Sequence, residues 1–221
     1  MRFVERINGL YWILVLIFFI WNCDDGKRYR KPDAALGKEV QVGVGQILAF
    51  QKELNATFSS PDDSPLPDRY RIHFEGLDFY LPDTTYQVWA KLKRTPEALP
   101  FNLATTTDRM ALERTYGVLE FELKGVPLTL EVYQSPDLML EEGYEDYLFL
   151  PFSDLTNGTE TYTGGRYIDL KIPDSDSILI DFNKAYNPYC AYNPKYSCPV
   201  VPAPNQLGIA IRAGVKAFGL K

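Results

Sequence analysis

The groups in this chain that could do chemistry crowd into residues 154–205. That stretch holds Asp154, Arg166, Asp169, Asp181, Asn183, Asn187 and Asn205, with Tyr162, Tyr186 and Tyr192 between them. Charged and amide groups are costly to bury without partners, so such a cluster is either a site or an internal scaffold. Asp181-Phe182-Asn183 closes an apolar run beginning at Ser177, and strand ends present polar groups from a rigid support. Arg166 follows Gly164-Gly165. Glycine permits close backbone approach, and the guanidinium fork suits a carboxylate or phosphate. Read functionally, Arg166, Asp181, Asn183, Tyr162, Tyr186 and Asn187 line a pocket for a small polar or anionic ligand. Arg166 pairs its acid, Asp181 and Asn183 bond its hydroxyls, and Tyr162 or Tyr186 stacks on it. Read structurally, the same Asp, Asn, Pro and Gly residues build turns and satisfy loop backbone. A catalytic reading rests on Asp154 and Asp181. Two carboxylates about 5–9 Å apart do acid/base work on a glycoside, a separation that only the fold can supply.

The chain has 3 cysteines. Cys190 and Cys198 lie close in sequence and, outside the cytoplasm, read as a disulfide stapling a proline-rich loop. Two thiols or two metal ligands are the alternatives. The spacing is not that of a zinc site and no histidine is near, so no metal is expected. The single histidine, His73, sits in an apparent strand with no nucleophile evident beside it. No glycine-rich phosphate loop follows a strand and opens a helix, so no nucleotide cofactor is expected.

With 23 Lys+Arg against 29 Asp+Glu, the net charge is −6, and no basic stripe forms. Nucleic acid is therefore not an expected partner, because phosphate contacts need a basic face. Arg2 and Arg6 precede an apolar run, Leu10–Trp21, of signal-peptide rather than membrane-spanning length. The run ends at Cys23, followed by Asp24-Asp25. A cysteine there resembles a lipoprotein signal. Residues 1–22 are then a leader, Cys23 the lipidated residue, and the membrane a partner through that lipid. Residues 23–38 read as a polar tether and 39–221 as one domain. The expected location is the cell envelope, on its extracytoplasmic side.

The elements that must position the cluster are mostly strands. Aromatics reach 14%, which favours sheet. The apolar spacing of Val40, Val44, Ile47, Leu48 and Leu54 predicts an amphipathic helix over 39–55. Strands are predicted at 70–74, 77–81, 86–94, 100–105, 114–124, 127–134, 146–152, 166–172, 177–183 and 207–213. The clearest hairpin alternates Leu119, Phe121 and Leu123 against Leu128, Leu130 and Val132 around Lys124-Gly125. Short strands at this spacing imply a mainly β fold, an antiparallel sandwich or partly open barrel with one N-terminal helix.

Residues 147–170 (YLFLPFSDLTNGTETYTGGRYIDL) and 181–205 (DFNKAYNPYCAYNPKYSCPVVPAPN) carry a resemblance. With Phe74-Glu75-Gly76-Leu77 and the TTTDR run Thr105–Arg109, they resemble the bacterial family known as domain of unknown function 1684. The likeness covers about 39–221 and is nearest the short lipoprotein-type members. It implies no activity, substrate or cofactor. Where related chains read AGEK, this one has Ala213-Gly214-Val215-Lys216. The expected function is a non-catalytic envelope module binding a small polar or anionic ligand on the 154–205 surface. The alternatives are an extracytoplasmic hydrolase using Asp154 and Asp181, and a structural envelope component.

Overall fold

A computed structural model describes residues 43–219. The expected leader, lipidated Cys23 and tether lie outside the described residues.

Helix α1 runs Val44–Ser59 and buries Ile47, Phe50, Leu54 and Phe58, one face at spacings of three and four. The predicted stripe is thus displaced: Val44 and Leu48 are exposed. Two apolar stripes lie side by side on this helix, and the one carrying the two phenylalanine rings faces inward because it buries more area.

Seven strands follow: β1 (Gln87–Arg94), β2 (Phe101–Ala104), β3 (Met110–Leu123), β4 (Val126–Gln134), β5 (Tyr147–Phe152), β6 (Arg166–Lys171) and β7 (Ser177–Asp181). They form one antiparallel sheet in the order β6-β5-β4-β3-β1-β7, with β2 also pairing β3. The β3–β4 hairpin has the expected register, Leu119 opposite Leu130 and Phe121 opposite Leu128. Its turn places Lys124 at φ 54° and Gly125 at φ 79°. Two successive positive φ values match the twist of the flanking strands. A bulge between Thr115 and Gly117 bends β3. Gly117 is required there, since a Cβ would stand 2.7 Å from the Lys93 carbonyl oxygen of β1.

The sheet curls until its ends nearly meet, giving a barrel with an unsealed seam. Across the seam, Tyr167 and Tyr186 exchange backbone hydrogen bonds of 2.9 and 3.0 Å. Three predicted strands are absent. Residues 70–74 fall at the end of a helical turn, Asp68–Arg71, entered from Pro67. In 77–81 only Phe79 bridges, to Val215. Residues 207–213 form no strand: after backbone bonds at Leu207 and Ile209, Asp154 takes the Ile211 N–H, Tyr86 Oη the Arg212 N–H, and Arg166 the carbonyls of Ile211 and Ala213.

Two apolar clusters result. Inside the barrel lie Leu119, Leu130, Val132, Leu148, Leu150 and Phe152, with Ile211 and Ala213. Outside it, α1 covers Tyr147, Phe149, Tyr167 and Tyr186. Strand β5 is buried along its whole length because its alternate side chains enter the two clusters.

Candidate functional site

Arg166 opens β6 with a side chain that is 0% exposed. Gly165 before it has φ 87°, and a Cβ would stand 2.7 Å from the Phe152 carbonyl oxygen, so only glycine fits. The guanidinium donates from Nη2 to Asp154 Oδ2 (2.8 Å) and to the Ile211 carbonyl (2.8 Å). Nη1 donates to the Ala213 carbonyl and, at 3.4 Å, to that of Val215. The Phe152 ring lies 5.2 Å away. Asp154 is equally occupied: Oδ1 accepts the Thr156 N–H (2.9 Å), the Thr156 hydroxyl (2.7 Å) and the Ile211 N–H (3.0 Å). Burial pushes the Arg166 pKa down, and the Asp154 carboxylate opposes that shift. The sequence-based expectation is that Arg166 pairs a ligand acid; in the fold the acid beside it is Asp154. The Arg166 fork holds the chain's own 211–215 segment. Asp154, the candidate acid or base, likewise has both oxygens engaged in the interior, by Arg166, Thr156 and Ile211.

The remaining candidates are also cross-links. Asp181 Oδ1 accepts from the Asn183 N–H (3.0 Å) and Asn183 Nδ2 (2.8 Å), and Oδ2 accepts from Gln87 Nε2 (2.9 Å). None of these partners also serves Asp154, so the proposed carboxylate pair does not share a network. Asn183 replaces a missing ladder rung. Its Oδ1 accepts from the Asp83 N–H (3.0 Å) and its Nδ2 donates to the Asp83 carbonyl (2.9 Å). Asn187 Nδ2 donates to the Lys216 carbonyl (2.9 Å) and to Tyr192 Oη (3.2 Å), while its Oδ1 is buried without a partner. The Tyr186 hydroxyl donates to Asp169 Oδ1 (2.6 Å), and the residue is buried, so it offers no stacking face.

Tyr162 and the cysteines are different. Tyr162 is half-buried, with Oη 3.9 Å from Cys190 Sγ. Cys190 and Cys198, expected from the sequence to pair as a disulfide, stand side by side as two thiols in this structure. The Cys190 N–H donates to Cys198 Sγ at 3.1 Å. The TTTDR run clamps the second cysteine. Thr106 N–H donates to the Cys198 carbonyl (2.9 Å), the Cys198 N–H donates to Thr106 Oγ1 (3.1 Å), and Arg109 Nη2 donates to the Ser197 carbonyl (2.8 Å). His73 is exposed in the turn after the Asp68–Arg71 helix. Among the described residues no three His, Cys, Asp or Glu side chains converge as a metal site.

An open cavity of about 610 Å³ lies elsewhere, lined by Phe79, Tyr80, Leu81, Asp83, Arg212 and Lys216 among others. Arg212 forks onto Glu160, its Nε 3.0 and 2.9 Å from the two carboxylate oxygens and its Nη2 2.7 Å from Oε1. Tyr80 Oη donates to Glu160 Oε2 (3.0 Å). Lys216 Nζ stands 5.3 Å from the Tyr80 ring centroid and 3.4 Å from Asp78. The Arg212 hydrogen bonds hold the Glu160 carboxyl below its usual range. Burial, then Glu160, pushes the Tyr80 phenol up to about 12. Sequence reasoning passed over these residues, which are far apart in the chain. The one available signal was the pair of cations flanking Ala213-Gly214-Val215.

A family model described as "Protein of unknown function (DUF1684)" matches residues 72–216. The solution NMR structure of an uncharacterised protein of Haloarcula marismortui is similar, with 35% sequence identity and a TM-score of 0.61. The match covers 78% of this chain and 92% of that one. No curated protein matches.

Proposed function

The chain belongs to the DUF1684 family of proteins of unknown function, and from that premise we propose a non-catalytic ligand-binding module held in the cell envelope by a lipid on Cys23. The ligand is a small polar molecule bound in the cavity beside Glu160, at the edge of the 154–205 segment. One observation supports this: Tyr80, whose hydroxyl bonds Glu160 and whose ring lies under Lys216, lines an open cavity together with Arg212 and Lys216. Charges of both signs around one ring suit a polyhydroxylated ligand better than a strong anion, which Glu160 and Asp83 would repel. The internal engagement of Asp154 and Asp181 favours binding over hydrolysis.

Saturation-transfer NMR with a panel of neutral sugars and uronic acids tests the reading. Neutral sugars bind, and Tyr80→Ala abolishes the signal while leaving the melting transition in place. Binding of uronates alone would reassign the ligand class. No binding across the panel, or binding untouched by Tyr80→Ala and Arg212→Ala, rejects the site. Mass spectrometry of the mature N-terminus tests the anchor: an acylated Cys23 is expected, and an unmodified one rejects it.

A further inference from the structure

The polar scaffold and the cavity leave Cys190, Cys198, Tyr162 and the TTTDR run without a role. Cys190 is partly buried and Cys198 is buried. The two meet through the 3.1 Å bond from the Cys190 N–H to Cys198 Sγ. Tyr162 Oη approaches the outer sulfur, and Thr106 and Arg109 fix the backbone around the inner one. Cys190 lies in the 3₁₀ turn Tyr189–Ala191, and the Cys198 N–H and carbonyl and the Ser197 carbonyl are bonded to Thr106 and Arg109. An accessible thiol backed by a second, held thiol is the arrangement that thiol–disulfide exchange requires.

We propose that Cys190 and Cys198 form a thiol–disulfide exchange site for a small disulfide substrate, with Cys190 as the attacking sulfur and Cys198 as the resolving one. Cys190 releases its proton to solvent and its thiolate attacks one sulfur of RS–SR. The substrate S–S bond breaks, a Cys190–SR bond forms, and RS⁻ leaves and takes a proton. Cys198 then loses its proton and attacks Cys190 Sγ. The Cys190–SR bond breaks, the Cys190–Cys198 bond forms, and a second RS⁻ leaves. Two protein thiols become one disulfide while RS–SR is reduced to two RSH. The electrostatics favour this order. Hydrogen bonds to Cys190, that from Cys198 first, bring its pKa down to about 7, whereas the same bond and burial push Cys198 up. Once Cys190 is in the mixed disulfide, its negative charge no longer opposes ionisation of Cys198. The Cys190 N–H and the Arg109 charge then favour the Cys198 thiolate.

The test uses the full chain with Cys23→Ser, so that the pair supplies the only thiols, and glutathione disulfide as the probe. The unmodified pair is expected to release two glutathiones and close. Adding Cys198→Ser should stop the reaction at a Cys190–glutathione adduct, about tenfold more abundant than any Cys198 adduct in the Cys190→Ser chain. Iodoacetamide labelling of the intact pair, read by peptide mapping, needs no cysteine change within the site. Cys190 should react about tenfold faster than Cys198, with a midpoint near the pKa of about 7. Equal labelling of the two cysteines overturns the proposal. So does the absence of a trapped adduct in a folded Cys198→Ser chain, or a native disulfide that glutathione cannot reduce.

Discussion

The Arg166–Asp154 pair shows how a residue that looks functional becomes structural. Both side chains are 0% exposed, so each charge depends on the other and on the carbonyls of 211–215. Arg166→Met leaves Asp154 charged and unpaired in the interior, and should cost about 3–5 kcal/mol in urea denaturation. Adding Asp154→Asn should recover part of that loss, because the uncompensated charge is gone. Arg166→Lys should not restore stability, since one ammonium cannot replace a planar fork. The tyrosines make a prediction about pH. Tyr80 and Tyr162 are pushed up to about 12, against about 10 in an unfolded chain. Between those values the folded chain holds protons that the unfolded one has lost. Their stability contribution is therefore complete below about pH 10 and lost as pH rises through about 12. An alkaline absorbance titration should show these phenols ionising late, and Tyr80→Phe should remove one late step.

At the scale of elements, amide side chains stand in for missing strand pairings. β4 and β5 share a single registered pair, Tyr133 with Phe149. Asn205 fills the gap beside it. Its Oδ1 accepts from the Glu131 N–H (2.8 Å), and its Nδ2 donates to the carbonyls of Glu131 (2.8 Å) and Pro151 (2.6 Å). Asn205→Ala removes all three bonds and should cost about 3 kcal/mol, since each buried backbone group left unsatisfied costs about 1–3 kcal/mol. Hydrogen exchange should then rise at Glu131 while the β3–β4 turn stays protected. Gly165→Ala should cost about 1–3 kcal/mol, because the positive φ and the Phe152 carbonyl both oppose a Cβ. Its effect should appear at the start of β6.

At the scale of the molecule, the C-terminal segment is a plug as well as a strap. Ile211 and Ala213 are 0% exposed inside the barrel, and Val215 joins the cluster under α1. The same segment supplies the carbonyls that receive Arg166 and the cations that line the cavity. Truncation after Gln206 should therefore do more than remove a tail. The barrel loses part of its core, and Arg166 loses its carbonyl partners. Calorimetry should show no cooperative transition, and an apolar dye should bind the truncated chain. A cooperative transition near that of the full chain would show that the barrel stands without its plug.

Local pattern carried much of the fold. Alternation in 118–133 and the Lys124-Gly125 turn determine a hairpin and its register, because a one-residue slip would turn every apolar side chain outward. The mainly β class, the N-terminal helix and the family likeness were likewise legible in the residues. The helix face was not, since two adjacent stripes were both apolar and only packing chose between them. Nor was the role of the 154–205 cluster. Arg166, Asp154, Asn183 and Asn187 have the same identities whether they face a ligand or their own backbone. What decides is whether each polar atom already has a partner, and those partners come from Asp83, Ile211, Ala213 and Lys216, distant in the chain. A sequence sets out which groups must be satisfied. Only the nearly closed barrel, by bringing the C-terminal segment inside, determines which of them satisfy one another and which remain at the surface to act.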